Sequence, residues 1–455
     1  MNNFMLTPQI IAEVTGGQYI GTESARHIRV QGAARDNRDV MPDNLFVCIR
    51  GERNDGHDFA QDAFARGASC ALAERELTDA AGAYVLVEST LTAIKTLGEY
   101  YRKLFDIPFI GITGSVGKTT SKELVAAALS ARFCVLKTEK NLNNELGVPL
   151  TLLSLEPKHQ AAVIEMGISE FGEMSRIARM VRPDICVMTK IGHAHLEQLG
   201  DLYGVLQAKT EAFAYMNASG IGVMNGDDEM LRRFDPGVNK ITFGIGAHND
   251  FRAENIRMDG VNSVSCDVVS KSGSFTVTIP AYGLHLAMMA LPAAAVGILL
   301  GMSGEEVARG LSAYVPVDGR ANVKETGMLT IIDDCYNANP TSVNAALKSL
   351  SMLPGRHVAI LGAMKELGKQ SAELHRDTGV HAAQCGLDVL ITCGQDARFI
   401  GDGYAASGGN LTQHFADKSV LIAALPGIVA AGDNVLVKAS NSMRFDEIVT
   451  ALAGL

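Results

Sequence analysis

A glycine-rich segment carries the strongest chemical signal in the sequence. A strand-like run precedes it, a helical pattern follows it, and it reads Gly111-Ile-Thr-Gly114-Ser-Val-Gly117-Lys118-Thr119-Thr120. Glycines allow backbone N–H groups to close around a phosphate, and the following helix N-terminus favours negative charge. In such a loop Lys118 reaches the β- and γ-phosphates of a nucleotide, and the Thr119 hydroxyl binds Mg²⁺. The segment predicts a nucleotide site formed by Gly114, Ser115, Val116, Gly117, Lys118, Thr119 and Thr120.

The glycine spacing departs from the strict phosphate-loop pattern. That pattern, G-x-x-x-x-G-K-T, requires glycine where this chain has Ile112. The alternative interpretation is a glycine-rich turn with a chance Lys-Thr pair. The strand–loop–helix setting favours nucleotide binding.

Three further polar residues follow in the middle of the chain. Glu165 ends an apolar strand, at the edge where α/β sheets bind ligands, so its carboxylate either holds Mg²⁺ or pairs with a lysine. His195 follows another apolar strand, and Lys209 lies in a helical pattern. On residue type and spacing alone, His195 is an ordinary loop histidine and Lys209 a solvated helix lysine.

Two polar segments beyond residue 314 leave similar alternatives open. Asp334 ends a strand and precedes a turn that contains Asn337 and Pro340, which indicates either a nucleotide-binding edge or a capped turn. Arg320 follows Gly319 and is either a fork for phosphate or a surface arginine.

The elements that must position these residues alternate between strand and helix. Compact apolar runs at Pro108–Thr113, Ala161–Glu165 and Ile185–Thr189 are typical of buried parallel strands. β-prone runs at 264–269 and 275–279 predict an antiparallel insert or flank. Four later strand candidates are Leu329–Asp333, His357–Leu361, Val389–Cys393 and Asn434–Val437. This alternation predicts an α/β protein with a second doubly wound sheet.

The length of 455 residues favours two or three domains over one. Composition shifts and strand spacing divide the chain into a small α/β module at 1–86, a central domain at 87–313 and a third unit at 314–455.

Composition argues against several classes of protein. A net charge of −10 without a Lys/Arg-rich block disfavours a nucleic-acid or anionic-membrane surface. The eight cysteines form no CxxC pair, which indicates reduced thiols in a cytosol and argues against zinc. The N-terminus lacks a secretion signal, and Thr7 and Pro8 predict a helix start. The uncharged stretch Tyr282–Ser303 could span a bilayer, but His285, Pro292 and its alanines favour a buried helix.

Taken in order, several segments resemble the Mur ligase family. They span most of the chain and are Thr113–Thr120, Asn141–Pro149, Glu165–Gly167, Ala194–Glu197, Ala208–Lys209, Gly319–Arg320, Asp334–Pro340 and Lys365–Gly368. Tyr336-Asn-Ala-Asn-Pro340 points to the branch of the family that adds a dipeptide. Members that add one amino acid carry an Asp-Asn-Pro-Arg signature, which is absent here.

The resemblance implies three domains and one reaction. The domains would be an N-terminal UDP-sugar module, a central P-loop ATPase-type parallel sheet and a C-terminal Rossmann-like domain. ATP would phosphorylate the terminal carboxylate of UDP-N-acetylmuramoyl-tripeptide, and the amine of D-alanyl-D-alanine would attack the acyl phosphate. The third residue of the tripeptide is left open as lysine or diaminopimelate. A cytoplasmic monomer without nucleic-acid partner or membrane insertion is expected.

The resemblance also implies roles for individual residues. Lys118, Glu165, His195 and Lys209 would be catalytic. Thr119 and Glu165 would hold one Mg²⁺, while His195 and a carbamylated Lys209 would hold a second. The remaining candidates are Arg320 for the γ-phosphate, Asp334 and Asn337 for the nucleotide from the C-terminal domain, and Asp36, Asn37, Arg38, Asn141 and Asn144 for the substrate. Contacts from two domains imply closure on binding.

Four positions differ from the residues usual in the family. Met289 and Asn441 replace an asparagine and an arginine, Lys190 stands where asparagine is common, and Ala363 replaces an aspartate. These changes either weaken ATP binding or mark a paralogue with another acceptor or amine. A third alternative, a non-catalytic nucleotide-binding regulator, is disfavoured because Lys118, Thr119, Glu165, His195 and Lys209 are retained together, and a binding module needs no metal-binding lysine.

Overall fold

Three β-sheets follow one another along the chain. The computed structural model describes residues 5–51 and 54–455. The N-terminal tetrapeptide and Glu52 and Arg53, which belong to the expected UDP module, lie outside the described residues.

The N-terminal unit is a five-stranded sheet with short helices. Its strands are β1 Gln18–Ile20, β2 Ala33–Ala34, β3 Leu45–Val47, β4 Cys70–Ala73 and β5 Ala83–Leu86, and its helices are α1 Pro8–Thr15 and α2 Ala60–Ala65. The strand order is β1-β5-β4-β3-β2, parallel except for the β1–β5 pair. Thr7 caps α1 by accepting a hydrogen bond from the Ile10 N–H, which confirms the predicted helix start.

The central unit is a nine-stranded sheet covered on both faces. Its strands are β6 Phe109–Thr113, β7 Val135–Lys137, β8 Ala161–Glu165, β9 Ile185–Met188, β10 Ile221–Asn225, β11 Asn239–Gly244, β12 Phe251–Met258, β13 Val264–Ser270 and β14 Gly273–Ile279. The helices are α3 Thr90–Arg102, α4 Lys118–Ser130, α5 Gly147–Leu153, α6 Glu173–Val181, α7 Leu196–Leu199, α8 Leu202–Thr210, α9 Glu229–Arg233, α10 His285–Leu299 and α11 Gly304–Ser312. The order is β14-β13-β12-β11-β10-β9-β6-β8-β7, and β12 to β14 form the predicted antiparallel flank.

The two faces of the central sheet explain its apolar strands. Ile110 and Ile112 of β6 pack in the core beneath α4 and α10, whereas Phe109 packs in the core on the opposite face with residues of α3 and α6. A strand covered on both sides has no solvent face to leave polar.

The uncharged stretch 282–303 forms α10, most of which is buried against α4 and the sheet. This confirms the predicted buried helix. Across the described ranges, no helix combines the length and the apolar character that crossing a membrane would require.

The C-terminal unit is a six-stranded sheet. Its strands are β15 Asn322–Glu325, β16 Thr330–Asp333, β17 His357–Gly362, β18 Val389–Cys393, β19 Leu411–Phe415 and β20 Asn434–Lys438. The helices are α12 Pro340–Leu350, α13 Ser371–Gln384, α14 Arg398–Ala406, α15 Lys418–Ile428 and α16 Asp446–Ala453. The order β15-β16-β20-β17-β18-β19 is parallel except at β15, as expected for a Rossmann-like unit. The limits 1–86, 87–313 and 314–455 remain our proposal for the domain boundaries.

Candidate active site

The glycine-rich loop joins the end of β6 to the start of α4. Gly114 and Gly117 both have positive φ, 141° and 81°. A side chain at Gly114 would lie 2.0 Å from the Thr189 hydroxyl, so this position requires glycine. Ile112 is buried within β6. The turn therefore begins after the position at which the strict pattern would place its first glycine.

A cavity of about 560 Å³ opens beside this loop, between the central and C-terminal domains. Adjacent strands β6, β8 and β9 end there, with Ile112 opposite Glu165 and Thr113 opposite Met188. The predicted site residues that line the cavity are Ser115, Val116, Gly117, Lys118, Thr119, Thr120, Asn141, Asn144, Glu165, His195, Arg320, Asp334 and Asn337. Parallel strands bring their carboxyl ends to one edge, which explains how distant motifs meet.

Thr119 and Glu165 form a hydrogen-bonded pair at the cavity wall. The Thr119 hydroxyl donates to Glu165 Oε1 at 3.1 Å and accepts from Arg320 Nη2 at 3.0 Å. Asn143 also donates to Glu165 Oε1, at 2.8 Å. Glu165 Oε2 is buried and has no hydrogen-bond partner among the described residues. One carboxylate oxygen is thus held in place while the other is free to bind a ligand.

Asn143 was missed by the sequence reasoning, which selected its neighbours Asn141 and Asn144. The signal was present, because all three belong to the segment Asn141–Asn144. In the structure, Asn144 Oδ1 accepts hydrogen bonds from the backbone N–H groups of Leu146 and Gly147 at the start of α5.

Lys209 is completely buried, with 0% of its surface exposed. The interpretation from residue type alone, a solvated helix lysine, is therefore wrong. Its Nζ has no hydrogen-bond partner in the described structure. Burial, reinforced by the charge of Lys118, lowers the pKa of Lys209 well below its usual value. Helix α8 therefore places an amine inside the protein where burial favours its neutral form, although Lys209 itself does not line the cavity.

His195 precedes α7 in a left-handed conformation, with φ of 54°. Its Nδ1 lies 2.7 Å from Glu366 Oε2, a residue of the C-terminal domain. The side chain of His195 remains 26% exposed and lines the cavity.

Asp334 directly follows β16 and is paired with Lys438, which the sequence does not single out as a site residue. Lys438 Nζ lies 2.6 Å from Asp334 Oδ2 and donates to the Asn337 carbonyl at 2.9 Å. Lys438 is only 3% exposed, so it fixes the turn that carries both cavity residues. Its position at the end of strand β20 was the available signal.

The three predicted UDP contacts lie in the N-terminal unit and do not line the large cavity. Arg38 donates two hydrogen bonds to Asp36, at 2.9 and 2.6 Å, and Asn37 donates to Asp62. The hydrogen bonds from Arg38 lower the pKa of Asp36 to about 2. The structure therefore does not bring Asp36, Asn37 and Arg38 together with the nucleotide loop.

Three family models match successive parts of the chain. Residues 29–101 match the model described as Mur ligase family, catalytic domain, residues 112–297 match the Mur ligase middle domain, and residues 319–441 match the Mur ligase, glutamate ligase domain. The chain is also 33% identical over 452 residues to UDP-N-acetylmuramoyl-tripeptide–D-alanyl-D-alanine ligase of Bacillus subtilis (strain 168), covering 98% of each chain. This chain belongs to the Mur ligase family.

Other Mur ligases show the same end-to-end similarity. The Escherichia coli (strain K12) protein with the same name as the Bacillus one is 35% identical over 451 residues, covering 97% of each chain. A crystal structure of MurF from Acinetobacter baumannii superimposes with a TM-score of 0.89 at 29% identity, covering 99% of each chain. MurF ligase from Thermotoga maritima in complex with ADP gives a TM-score of 0.81 at 28% identity, covering 95% of this chain and 99% of that one. These findings confirm the predicted family and fold.

The donors of this Mur ligase fit Mg²⁺ bound together with a nucleotide. In the described ranges, no three His, Cys, Asp or Glu side chains are grouped to hold a metal ion by themselves. Mg²⁺ commonly uses one or two carboxylates plus substrate phosphates and water. The free oxygen of Glu165 and the Thr119 hydroxyl are such a partial set.

The four unusual positions of this Mur ligase lie in different environments. Met289 Sδ accepts a hydrogen bond from the Ser121 hydroxyl at 3.2 Å, and the carbonyl of Lys190 accepts one from the Ser115 N–H at 2.7 Å. Ala363 is buried, and Asn441 is exposed. Met289 and Lys190 line the cavity, whereas Ala363 and Asn441 do not.

Proposed function

We propose that this chain is an ATP-dependent ligase that joins D-alanyl-D-alanine to UDP-N-acetylmuramoyl-tripeptide in peptidoglycan precursor synthesis. The observation that carries the proposal is the end-to-end similarity to ligases of that name, at 33 and 35% identity. The turn Tyr336–Asn339, next to the loop that contains Lys118, lines the cavity and supports the assignment to the dipeptide-adding branch.

ATP binding is supported by the loop geometry and by the similarity to the ADP-bound Thermotoga maritima enzyme. The N–H groups of Val116 to Thr120 would surround the phosphates at the start of α4. Lys118 Nζ, now 2.9 Å from the Gly114 carbonyl, would turn to the β- and γ-phosphates. Arg320, whose guanidinium reaches Thr119, would bind the γ-phosphate from the other domain.

Charge neutralisation is the main physical demand of the first step. An anionic carboxylate must approach a triphosphate, and preorganised positive charge lowers that barrier. Mg²⁺, when bound, would neutralise phosphate charge and orient the transferred group. Thr119 and Glu165 would hold one ion, and His195 and a carbamylated Lys209 would hold the second.

The environment of Lys209 supports the proposal that its amine is carbamylated. Only a neutral amine adds CO₂, and burial lowers the pKa of this amine, which favours its neutral form. Addition of CO₂ to Nζ, with loss of one proton, gives a carboxylate-like group. That group could bind a cation at a position where an ammonium would repel it.

The second step requires the amine of the dipeptide to lie next to the activated carboxyl group of the acceptor. The amine of D-alanyl-D-alanine attacks the acyl phosphate, the tetrahedral intermediate collapses, and phosphate leaves. Asp334 and Asn337 would hold the nucleotide from the C-terminal domain, while Asn141 and Asn144 would contact the acceptor. Asp36, Asn37 and Arg38 would bind its UDP group. We place the enzyme in the cytoplasm as a monomer.

The test is ADP release by the purified protein with ATP, Mg²⁺, acceptor and D-alanyl-D-alanine, omitting each component in turn. Lysine- and diaminopimelate-containing tripeptides are compared, and product mass is read in parallel. We expect ADP release to require both acceptor and dipeptide, with a pentapeptide product. Intact ATP binding without turnover on either acceptor would contradict the proposal.

A further inference from the structure

The contact between His195 and Glu366 joins the central and C-terminal domains directly at the cavity. His195 lies just before α7 in the central domain, and Glu366 lies in the loop after β17 in the C-terminal domain. The His195 Nδ1 to Glu366 Oε2 distance is 2.7 Å. His195 lines the cavity whereas Glu366 does not, so Glu366 can act only through the histidine.

The backbone on both sides of this contact is in an unfavourable conformation. The φ angles of His195 and Glu366 are 54° and 64°, in the left-handed region. Such a conformation is unfavourable at a non-glycine residue and persists only where surrounding structure enforces it. Because two such residues face each other across a domain boundary, we infer that the surrounding structure of both domains holds this contact in place.

The loop that carries Glu366 is held by its own domain. The Met364 N–H donates to His375 Nε2, and the Lys365 N–H donates to Ser440 Oγ, both at 2.9 Å. Leu367, the next residue, is 2% exposed. Glu366 is therefore presented from a fixed backbone.

The loop also packs on the helix that follows His195. A side-chain carbon added at Gly368 would lie 3.7 Å from Glu197 Cα, in ordinary contact. Leu196 is buried in the same apolar core as Leu367. The histidine and its partner are thus held together by packing on both sides.

A carboxylate at Nδ1 fixes what the imidazole can do. Nδ1 donates its proton to the carboxylate. Nε2 is then the ring nitrogen whose lone pair remains to bind a cation. Partners of this kind orient metal-binding histidines, and their loss typically lowers metal affinity about 10–100-fold.

We propose that Glu366 is a positioning residue that holds His195 with Nε2 free to bind the second cation. Because Glu366 comes from the C-terminal domain, that cation is bound tightly only when the two domains are closed. This inference rests on the proposed function only in assigning a cation to His195.

The test counts Mn²⁺ ions bound to the full-length protein by electron paramagnetic resonance, with a non-hydrolysable ATP analogue. We expect two ions on the unmodified protein. In Glu366→Ala, the affinity for one Mn²⁺ ion should stay unchanged and the affinity for the other should fall about 10–100-fold. Glu366→Gln keeps an acceptor oxygen, so its second Mn²⁺ affinity should lie between those of Glu366→Ala and the unmodified protein. Glu373→Gln removes an exposed carboxylate of α13 in the same domain and serves as the matched control.

Kinetics provide the second readout. We expect Glu366→Ala to lower kcat while the KM for ATP stays within about twofold, because the phosphate loop is untouched. The effects of His195→Ala and Glu366→Ala should be non-additive in the double variant, since both act on one ligand.

Two wild-type-like Mn²⁺ affinities in Glu366→Ala, with one ion lost in His195→Ala, would overturn the positioning role. Unchanged Mn²⁺ binding in both variants would overturn it together with the cation role of His195. The Mn²⁺ experiment uses no acceptor or dipeptide. A wrong substrate assignment would therefore appear only in the turnover assay.

Discussion

At the residue scale, burial gives Lys209 a character that its sequence position hides. A buried ammonium is costly when no described residue offers it a hydrogen bond, so burial lowers the pKa of Lys209 well below its usual value. The neutral amine that this shift favours is the form that carbamylation requires.

Lys209→Ala should lower kcat by roughly 10²-fold or more, the scale expected when a charge-stabilising group is removed. Added formate or acetate should restore part of the activity by supplying a carboxylate in the vacated space. Turnover is measured by ADP release with and without these anions.

The matched control is Lys122→Ala, which removes another fully buried lysine. Lys122 donates to the Thr138 carbonyl and to Glu123, so its loss should lower stability without any anion rescue. Full turnover in Lys209→Ala would refute the carbamate role.

Met289 illustrates how one side chain could tune nucleotide affinity. A side-chain carbon at Gly117 would lie 2.5 Å from Met289 Sδ, so the thioether lies directly over the phosphate loop. A thioether is a weak hydrogen-bond acceptor and donates no hydrogen bond, whereas an asparagine amide both donates and accepts hydrogen bonds.

Met289→Asn should lower the KM for ATP about fivefold, equivalent to about 1 kcal/mol for one added hydrogen bond, with kcat within twofold. Steady-state kinetics over a range of ATP concentrations provide the measurement. Leu299→Asn, at the other end of the same helix and outside the cavity lining, is the control and should not lower KM. An unchanged or higher KM in Met289→Asn would show that the nucleotide gains no hydrogen bond there.

At the element scale, helix α4 must be held rigidly if its first turn is to bind phosphate as proposed. Glu123 of α4 lies 2.5 Å from Lys122 and 2.6 Å from Lys137 of β7. Burial raises the pKa of Glu123, but hydrogen bonds from the two lysines outweigh it and hold the pKa below its usual value. The ion pair with Lys137 therefore ties the helix to the sheet edge.

Glu123→Gln should lower the free energy of unfolding by about 1–3 kcal/mol at neutral pH. The depressed pKa means that this stabilisation is present above the unfolded-state pKa of about 4.3 and is lost as pH falls through the folded-state value. Denaturant unfolding at several pH values measures the difference between the two proteins.

Glu229→Gln is the control for this prediction, because the Glu229–Arg233 pair is exposed and such pairs contribute little. A difference between Glu123→Gln and the unmodified protein that stays constant down to pH 3 would contradict the assignment of the effect to the Glu123 charge.

At the scale of the whole molecule, the cavity is complete only when two domains meet. Arg320 reaches Thr119 across the boundary at 3.0 Å, and its guanidinium stacks 4.2 Å from the centre of the Tyr336 ring. A site shared in this way couples ligand binding to domain position.

We expect an ATP analogue plus the UDP-linked acceptor to reduce the radius of gyration in small-angle scattering. Arg320→Ala should lower kcat about 10²-fold and reduce that compaction, because the γ-phosphate loses its contact with the C-terminal side. Arg309→Ala, an exposed arginine of α11, is the control. Scattering that ligands leave unchanged in the unmodified protein would contradict closure.

The sequence by itself determined the short segments that form the walls of the cavity. The loop from Gly114 to Thr120, the strand that ends at Glu165 and the turn after Asp334 were predicted because strand–loop–helix spacing is encoded over a few residues. The α/β fold and the buried helix α10 were also predicted from periodicity and from the absence of charge.

Only the tertiary structure decided which polar residues act together. Three pairs join positions that are remote in sequence: Asn143 with Glu165, Lys438 with Asp334, and Glu366 with His195. The burial of Lys209 likewise depends on elements remote in sequence. Spacing within one element cannot report which other element packs against it. A lysine in a helical pattern therefore appears solvated in the sequence, until the surrounding helices and strands exclude water from it.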